Sequence, residues 1–164
     1  MTPRYINPGE YVFGVIPEGV RTLLGSCASI VLWHPERRIL GFCHILLPET
    51  PKSQGTLVRR DGYYADQVMT KFLDDMRSWE SQPGDYVMEL YGGSRLLLAN
   101  GETLQTPFSV GARNIEYIHA RAGELGWHFS RVDTGGPLPR RIEVNGMTGK
   151  VTVQFVPARR KEAL

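Results

Sequence analysis

Two apolar runs separated by a short polar stretch dominate the segment from Thr22 to Pro48. The first run ends at Trp33, and the second covers residues 39–47. The stretch between them, His34–Arg38, is polar and contains a proline, which is a composition typical of turns. We therefore predict a β-hairpin in which two apolar strands run back along each other.

A period of two separates the side chains of the second strand into two faces. If residues 41–47 form a strand, one face carries Phe42, His44 and Leu46, and the other carries Cys43, Ile45 and Leu47. Both faces are mostly apolar, as in a strand that is covered on both sides. His44 is then the only strongly polar group on its face and needs a hydrogen-bond partner. Cys43 points away from His44 and is expected to pack as a small apolar residue.

Two amphipathic helices are predicted from apolar positions that recur every three or four residues. The first covers residues 63–79, and its buried stripe consists of Ala65, Val68, Met69, Phe72, Leu73 and Met76. The second runs from Val110 to Leu125, with Ser109 as its N-cap and Gly126 just after its end. Its expected buried positions are Ala112, Ile115, Ile118, Ala122 and Leu125.

Further strands are predicted on both sides of these helices. They cover residues 11–16, 20–24, 86–90, 127–132, 141–144 and 150–156, and the turn at Asn145–Gly146 joins the last two. Residues 49–62 are expected to form a loop, either a flap over a substrate or variable surface. Groups of strands with two interspersed helices indicate an α+β fold, that is, a domain of mixed α/β layers.

Composition and charge narrow the class of protein mainly by exclusion. The 164 residues fit one domain, 1–164, and a net charge of +2 is too small to indicate nucleic acid or an anionic membrane as partner. Residues 1–10 lack the apolar core of a signal peptide, and no run approaches the length of a membrane span. Two cysteines without a framework spacing fit a reducing compartment, so we expect a cytoplasmic protein without membrane insertion.

A thiol and an imidazole are predicted to meet at one end of the hairpin. Gly25-Ser26-Cys27 is an elbow of small residues where backbone can approach closely, and the hairpin brings His44 towards it. This pairing is typical of thiol hydrolases. The alternative is that Cys27 and His44 are ordinary core residues, because buried free cysteines are common. Zinc is not expected, since Cys43 and His44 face opposite sides and no C-x-x-C spacing exists.

Seven short motifs in a fixed order carry a resemblance to a known family. In chain order they are Leu24-Gly25-Ser26-Cys27, His44-x-x-Leu47-Pro48, Tyr64-Ala65-Asp66-Gln67, Tyr91-Gly92-Gly93, Gly111-x-Arg113-Asn114, Asp133-x-Gly135-Gly136 and Thr148-Gly149-Lys150-Val151. Over most of its length the chain resembles the CheD family of chemoreceptor glutamine deamidases. The resemblance implies a fold of two packed mixed β-sheets with helices outside.

The resemblance also implies roles for individual residues. Cys27 corresponds to the nucleophile of the family, His44 to its general base, and Thr22 to the threonine that orients the histidine. Thr22 lies one residue nearer to the cysteine than in some members. Pro137-Leu138-Pro139 precedes Arg140 where the family usually has a further glycine. The implied substrates are methyl-accepting chemotaxis receptors, with a CheC-type phosphatase as a second partner and no cofactor.

The expected reaction is deamidation of a glutamine side chain to glutamate with release of ammonia. An ordinary thiol, with a pKa near about 8.5, is mostly protonated at neutral pH. His44 would take the proton of Cys27 and later deliver one to the departing ammonia. Backbone N–H groups around Gly25, Ser26 and Cys27 are the expected oxyanion donors.

The alternative function is a regulatory binding module that engages a CheC-type phosphatase or a receptor without turnover. An intact pair of Cys27 and His44 favours an enzyme, because binding alone would not require both side chains. Alkylation of Cys27 would distinguish the two functions, since a module that only binds should show no unusually fast thiol.

Overall fold

The computed structural model describes residues 1–52, 59–95 and 109–157, which contain nine β-strands and two α-helices. The strands are β1 (Arg4–Tyr5), β2 (Tyr11–Val15), β3 (Val20–Leu24), β4 (Ala28–His34), β5 (Ile39–Cys43), β6 (Val87–Gly92), β7 (Phe129–Thr134), β8 (Arg140–Val144) and β9 (Val151–Phe155). The helices are α1 (Ala65–Ser78) and α2 (Val110–Leu125). Part of the loop predicted at 49–62 lies outside the described residues.

The strands form two mixed sheets. In the four-stranded sheet the order is β1-β3-β8-β9, with β1 parallel to β3 and the other neighbours antiparallel. In the five-stranded sheet the order is β2-β5-β4-β6-β7, and only β6 and β7 run parallel. Two mixed sheets with two helices confirm the predicted α+β layered fold.

The two strands of the hairpin, β4 and β5, are buried on both faces of the five-stranded sheet. One face packs against α1 and α2, through residues such as Ile30 on the sheet and Phe72 on α1. The other face packs against the four-stranded sheet, through residues such as Phe42 and Ile142. Every residue of β4 and β5 is therefore buried, which explains why both of these strands are apolar on both sides.

The predicted hairpin is present, and β4 and β5 pair antiparallel across a turn at residues 35–38. The second strand is shorter than predicted, because β5 ends at Cys43 rather than at residue 47. Beyond it, Ile45 and Leu47 form isolated bridges with Ala28 and Tyr64. At His44 the pairing with the segment before β2 becomes irregular, because the His44 carbonyl accepts from the N–H of Gly9 rather than from that of Glu10.

Helix α2 matches its predicted bounds, but the buried positions near its beginning differ from the prediction. Ser109 accepts a hydrogen bond from the N–H of Ala112 as the predicted N-cap, and Gly126 ends the helix with a φ of 72°. The fully buried residues of its first turns are Gly111 and Asn114, whereas Ala112 is only partly buried. This end of α2 packs on backbone rather than on an apolar surface, so a small and a polar residue replace the expected apolar ones.

Candidate active site

The register of the hairpin places Cys27 and His44 on the same face. Ala28 and Ile45 exchange two backbone hydrogen bonds, of 3.0 and 2.8 Å, so Ser29 lies opposite His44. Cys27 precedes Ser29 by two residues and therefore shares its face, which makes it a diagonal neighbour of His44. Diagonal neighbours across an antiparallel pair lie about 7–8 Å apart, within reach of an aromatic side chain. The Cys27 thiol itself forms no hydrogen bond within the described residues.

Cys27 and Cys43 have opposite surroundings. Cys27 is half-buried and packs against the core between the two sheets. Cys43 is fully buried in the core beneath the helices, where the N–H of Ile30 donates to its Sγ at 3.3 Å. Burial raises the pKa of the Cys43 thiol to about 12. Cys43 thus points away from His44 and packs as a core residue, as the alternation predicts.

Thr22 holds His44 through a hydrogen-bond chain that ends on the backbone of Ile6. Its Oγ1 lies 2.7 Å from His44 Nδ1 and 2.6 Å from the Ile6 carbonyl oxygen, and both side chains are buried. A carbonyl can only accept, so the single hydroxyl proton of Thr22 goes to Ile6 and Nδ1–H of His44 donates to Thr22. This tautomer leaves the lone pair of His44 on Nε2, where a base needs it.

Burial keeps both reactive groups neutral. Burial raises the pKa of the Cys27 thiol to about 11. It lowers the pKa of His44 to about 4, although the Ile6 carbonyl and the Glu10 carboxylate act in the opposite direction. At neutral pH the pair is therefore a thiol and an imidazole rather than a thiolate and an imidazolium. A thiol in this state needs a base that accepts its proton before it can serve as a nucleophile.

The elbow before β4 is fixed from the end of β6. The N–H of Ser94 donates to the Gly25 carbonyl at 2.9 Å, and the N–H of Gly93 donates to the Cys27 carbonyl at 2.8 Å. Gly92 has a φ of 108°, and a Cβ there would lie 2.2 Å from the Cys27 carbonyl oxygen. Only glycine allows this approach, which explains the glycine at position 92 of the Tyr91-Gly92-Gly93 motif.

Arg140 is 1% exposed and contacts Ser94, the residue whose N–H binds the elbow at Gly25. Its guanidinium pairs with Asp133 at 2.6 Å, donates to Ser94 Oγ at 3.0 Å and also donates to the Gly135 carbonyl. A buried guanidinium needs such partners, because an unpaired charge in the core is strongly unfavourable. The segment before Arg140, where the sequence departs from the usual family pattern, therefore ends opposite Leu24, the residue before the elbow.

Sequence reasoning missed the residues that support this site from other elements. They are Ile6, Ser94, Asn114 and Arg140. Asn114 and Arg140 belong to or follow motifs of the family resemblance, which was the only signal that could have indicated them. Across residues 1–52, 59–95 and 109–157, no three His, Cys, Asp or Glu side chains are grouped to hold a metal.

The buried, neutral state of His44 predicts a pH dependence of stability. Between pH 6.5 and about 4 the unfolded chain binds a proton at this position and the folded chain does not, so unfolding becomes easier as pH falls. The free energy of unfolding should therefore keep its full contribution from His44 above pH 6.5. It should decrease by about 3 kcal/mol towards pH 4. Urea titrations of the wild type and His44→Asn at pH 7 and pH 4.5 measure this difference.

The exposed His119 provides the control for that measurement. His119→Asn should keep the large pH dependence of the wild type, because it leaves the buried His44 in place. An equal pH dependence in the wild type and His44→Asn would contradict a depressed pKa of His44.

Comparison with known proteins decides the family. Residues 46–155 match the family model described as CheD chemotactic sensory transduction. The chain is 37% identical to the probable chemoreceptor glutamine deamidase CheD 3 of Dechloromonas aromatica, over 92% of this chain and 86% of the relative. It is 39% identical to the probable chemoreceptor glutamine deamidase CheD of Pseudomonas syringae pv. tomato, over 93% of this chain and 88% of the relative. The chain belongs to the CheD family.

This CheD chain has its candidate residues outside the part that the family model matches, which begins after His44. The alignments with the two relatives do include the candidate residues. They cover 92% and 93% of the chain, so the part outside them is too short to contain residues 22–44. The family resemblance read from the motifs is thereby confirmed. None of the described helices is long and apolar enough to cross a membrane.

Proposed function

We propose that this CheD chain is a cytoplasmic, cysteine-dependent deamidase that converts glutamine side chains of methyl-accepting chemotaxis receptors to glutamate. The names of its relatives support the reaction class and the substrate. The observation that carries the proposal is the hydrogen bond from His44 to Thr22, which leaves Nε2 as the basic atom on the face shared with Cys27.

In the proposed reaction, Cys27 Sγ attacks the carbon of the glutamine carboxamide while its proton passes to His44 Nε2. A bond forms between sulfur and carbon, and the electron pair of the carbonyl moves onto oxygen. When this intermediate collapses, the carbon–nitrogen bond breaks and His44 returns the proton to the leaving ammonia. Water then hydrolyses the thioester by the same route, which restores Cys27 and leaves glutamate.

Thr22 has a different part from the carboxylate of a serine protease triad. Its hydroxyl accepts from Nδ1–H and fixes the orientation of the ring, but it carries no charge to stabilise an imidazolium. Since burial also disfavours the imidazolium, we expect a modest turnover rate. Gly25, Ser26 and Cys27 supply the backbone N–H groups that receive the negative charge on oxygen.

Incubation with purified cytoplasmic fragments of a chemotaxis receptor tests the proposal. Peptide mass analysis should find glutamines converted to glutamate by the wild type, with ammonia released in equal amount. The Cys27→Ala protein serves as the control for spontaneous deamidation. Receptor fragments that stay unmodified at the level of this control would overturn the proposal.

The regulatory binding role, with a CheC-type phosphatase or a receptor as partner, remains a prediction from the family resemblance. Cys27→Ala also separates this role from turnover. A protein that acts only by binding would keep its full effect on the phosphatase or receptor in the Cys27→Ala variant. An enzyme would lose its effect on the receptor in that variant.

Removal of the Thr22 hydroxyl should lower turnover without preventing it. Thr22→Val keeps the shape of the side chain but breaks the hydrogen bonds to His44 and Ile6. Loss of one neutral hydrogen bond corresponds to roughly a threefold to tenfold decrease in kcat, and a larger decrease would indicate a change of tautomer or ring orientation. Thr22→Ser should keep much of the activity. Equal kcat values for the wild type and Thr22→Val would exclude the orienting role of the hydroxyl.

A further inference from the structure

Three consecutive carbonyl groups at the nucleophile elbow each accept a hydrogen bond from another part of the chain. Backbone N–H groups of Ser94 and Gly93 bind the carbonyls of Gly25 and Cys27. The carbonyl between them, that of Ser26, accepts from the side-chain amide of Asn114 at 3.0 Å. Asn114 is thus the one side chain among these three donors, and a substitution can remove it without altering the backbone.

Fixing a carbonyl also fixes the N–H group of the next residue. The peptide unit is planar and trans, so the N–H of residue i+1 points opposite to the carbonyl of residue i. When Asn114 holds the Ser26 carbonyl on the side of α2, the N–H of Cys27 is aimed to the other side. Among the hydrogen bonds within the described residues, none uses the N–H of Ser26 or Cys27. Within the described part of the chain, both groups thus meet the requirement that an oxyanion donor has no other acceptor.

The orientation of the Asn114 amide is determined by its surroundings. Nδ2 donates to two carbonyls, those of Ser26 at 3.0 Å and Leu46 at 3.1 Å. A flipped amide would place Oδ1 against two acceptors, so only one orientation is compatible with the site. Oδ1 itself is buried without a partner among the described residues, and the whole side chain is 0% exposed. A residue chosen for packing alone would not leave a buried acceptor unpaired.

We infer that Asn114 is a positioning residue that aims the N–H of Cys27 as an oxyanion donor, and this inference rests on the proposed function of the site. Through Leu46 it also ties the segment that follows His44 to the same point. The oxyanion donor and the segments carrying nucleophile and base are therefore held by a single amide. Neither the predicted triad nor the family resemblance assigns this role to Asn114.

Two reactions of the Cys27 thiol distinguish loss of oxyanion stabilisation from a change in the reactivity or accessibility of the thiol. Acylation by p-nitrophenyl acetate passes through an oxyanion, whereas alkylation by iodoacetamide does not. Both reactions begin with the same thiol and both remove its proton, so an effect on the deprotonation of Cys27 cancels in the ratio of their rates. In Asn114→Ala, acylation of Cys27 should fall by about tenfold to a hundredfold, and alkylation should stay within about threefold of the wild type.

Matched variants exclude a merely structural explanation. Ile118→Ala removes a fully buried apolar side chain one turn further along α2 and should leave the ratio unchanged. Asn114→Asp keeps the size of the side chain and should give the low ratio even if Asn114→Ala does not fold. Cys27→Ala measures the background from Cys43. An unchanged ratio in both Asn114 variants, or parallel losses of acylation and alkylation, would overturn the inference.

An NMR measurement on the wild-type protein tests the same inference without a substitution at position 114. Acetylation of Cys27 places a thioester carbonyl where the oxyanion forms, and the amide proton of Cys27 should move downfield in its NMR spectrum. An unmoved resonance would count against the inference. If receptor glutamines stay unmodified while the ratio and the shift behave as expected, the proposed substrate is wrong and the role of Asn114 stands.

Discussion

Cys27→Ala should abolish receptor deamidation, with a decrease of about 10⁴-fold or more in kcat. No other group at this site can form the thioester, because Cys43 faces the opposite core and is fully buried. The fold should be retained, since Cys27 is half-buried and its thiol makes no hydrogen bond within the described residues. Deamidation is measured by peptide mass analysis of a receptor fragment, and folding by circular dichroism.

Cys43→Ala is the matched control for Cys27→Ala. It removes a buried sulfur that packs beneath the helices, so it should lower the free energy of unfolding by about 1 kcal/mol. Its turnover should stay close to that of the wild type. Equal loss of activity in both variants would mean that loosening of the hairpin, and not loss of the nucleophile, explains the effect of Cys27→Ala.

The raised pKa of Cys27 changes what thiol labelling can reveal. From the sequence we expected fast alkylation to distinguish an enzyme from a binding module. Because burial raises the pKa of Cys27 to about 11, few molecules carry a thiolate at neutral pH. Slow labelling of the free protein is therefore compatible with an enzyme whose thiol loses its proton only during attack. Comparison of Cys27→Ala with the wild type on a receptor substrate is the stricter test.

Local patterns were sufficient to predict the hairpin and the direction of its side chains. The polar stretch at 34–38 marked the turn, and the period of two separated His44 from Cys43. These inferences succeed because strand alternation depends only on near neighbours along the chain. The same reasoning placed the end of the strand too late, since the carbonyl of His44 pairs with Gly9 rather than with Glu10, in a segment far away in the sequence.

Hydrogen bonds to backbone groups far away in the sequence could not be predicted from the pattern of apolar and polar residues. The carbonyl of Ile6 receives the proton of Thr22, yet any residue could supply that carbonyl. Asn114 interrupts the apolar stripe of α2 because it binds two carbonyls, and periodicity interprets such a residue as exposed. Arg140 is a buried charge, which residue type alone argues against. In each case the partner lies far away in the sequence, and only the tertiary fold identifies it.

His44→Ala should reduce kcat by roughly 10²- to 10⁴-fold, the usual contribution of a positioned acid or base. The reason is specific to this site: a thiol with a pKa near 11 cannot supply enough thiolate at neutral pH unless a base accepts its proton during attack. His34→Asn is the matched control, because His34 is also buried and lies at the opposite end of the same hairpin. Its kcat should remain close to that of the wild type.

The pH dependence of kcat/KM connects this loss to Nε2 of His44. Only the neutral imidazole can accept a proton, and burial lowers the pKa of His44 to about 4. Activity should therefore persist as pH falls from 7 to 5 and decline only towards pH 4, whereas an exposed histidine would lose basicity near its ordinary pKa of about 6.5. This acid limb should be absent from the residual activity of His44→Ala. Wild-type turnover in His44→Ala would show that His44 is a core residue held by Thr22 and not the base.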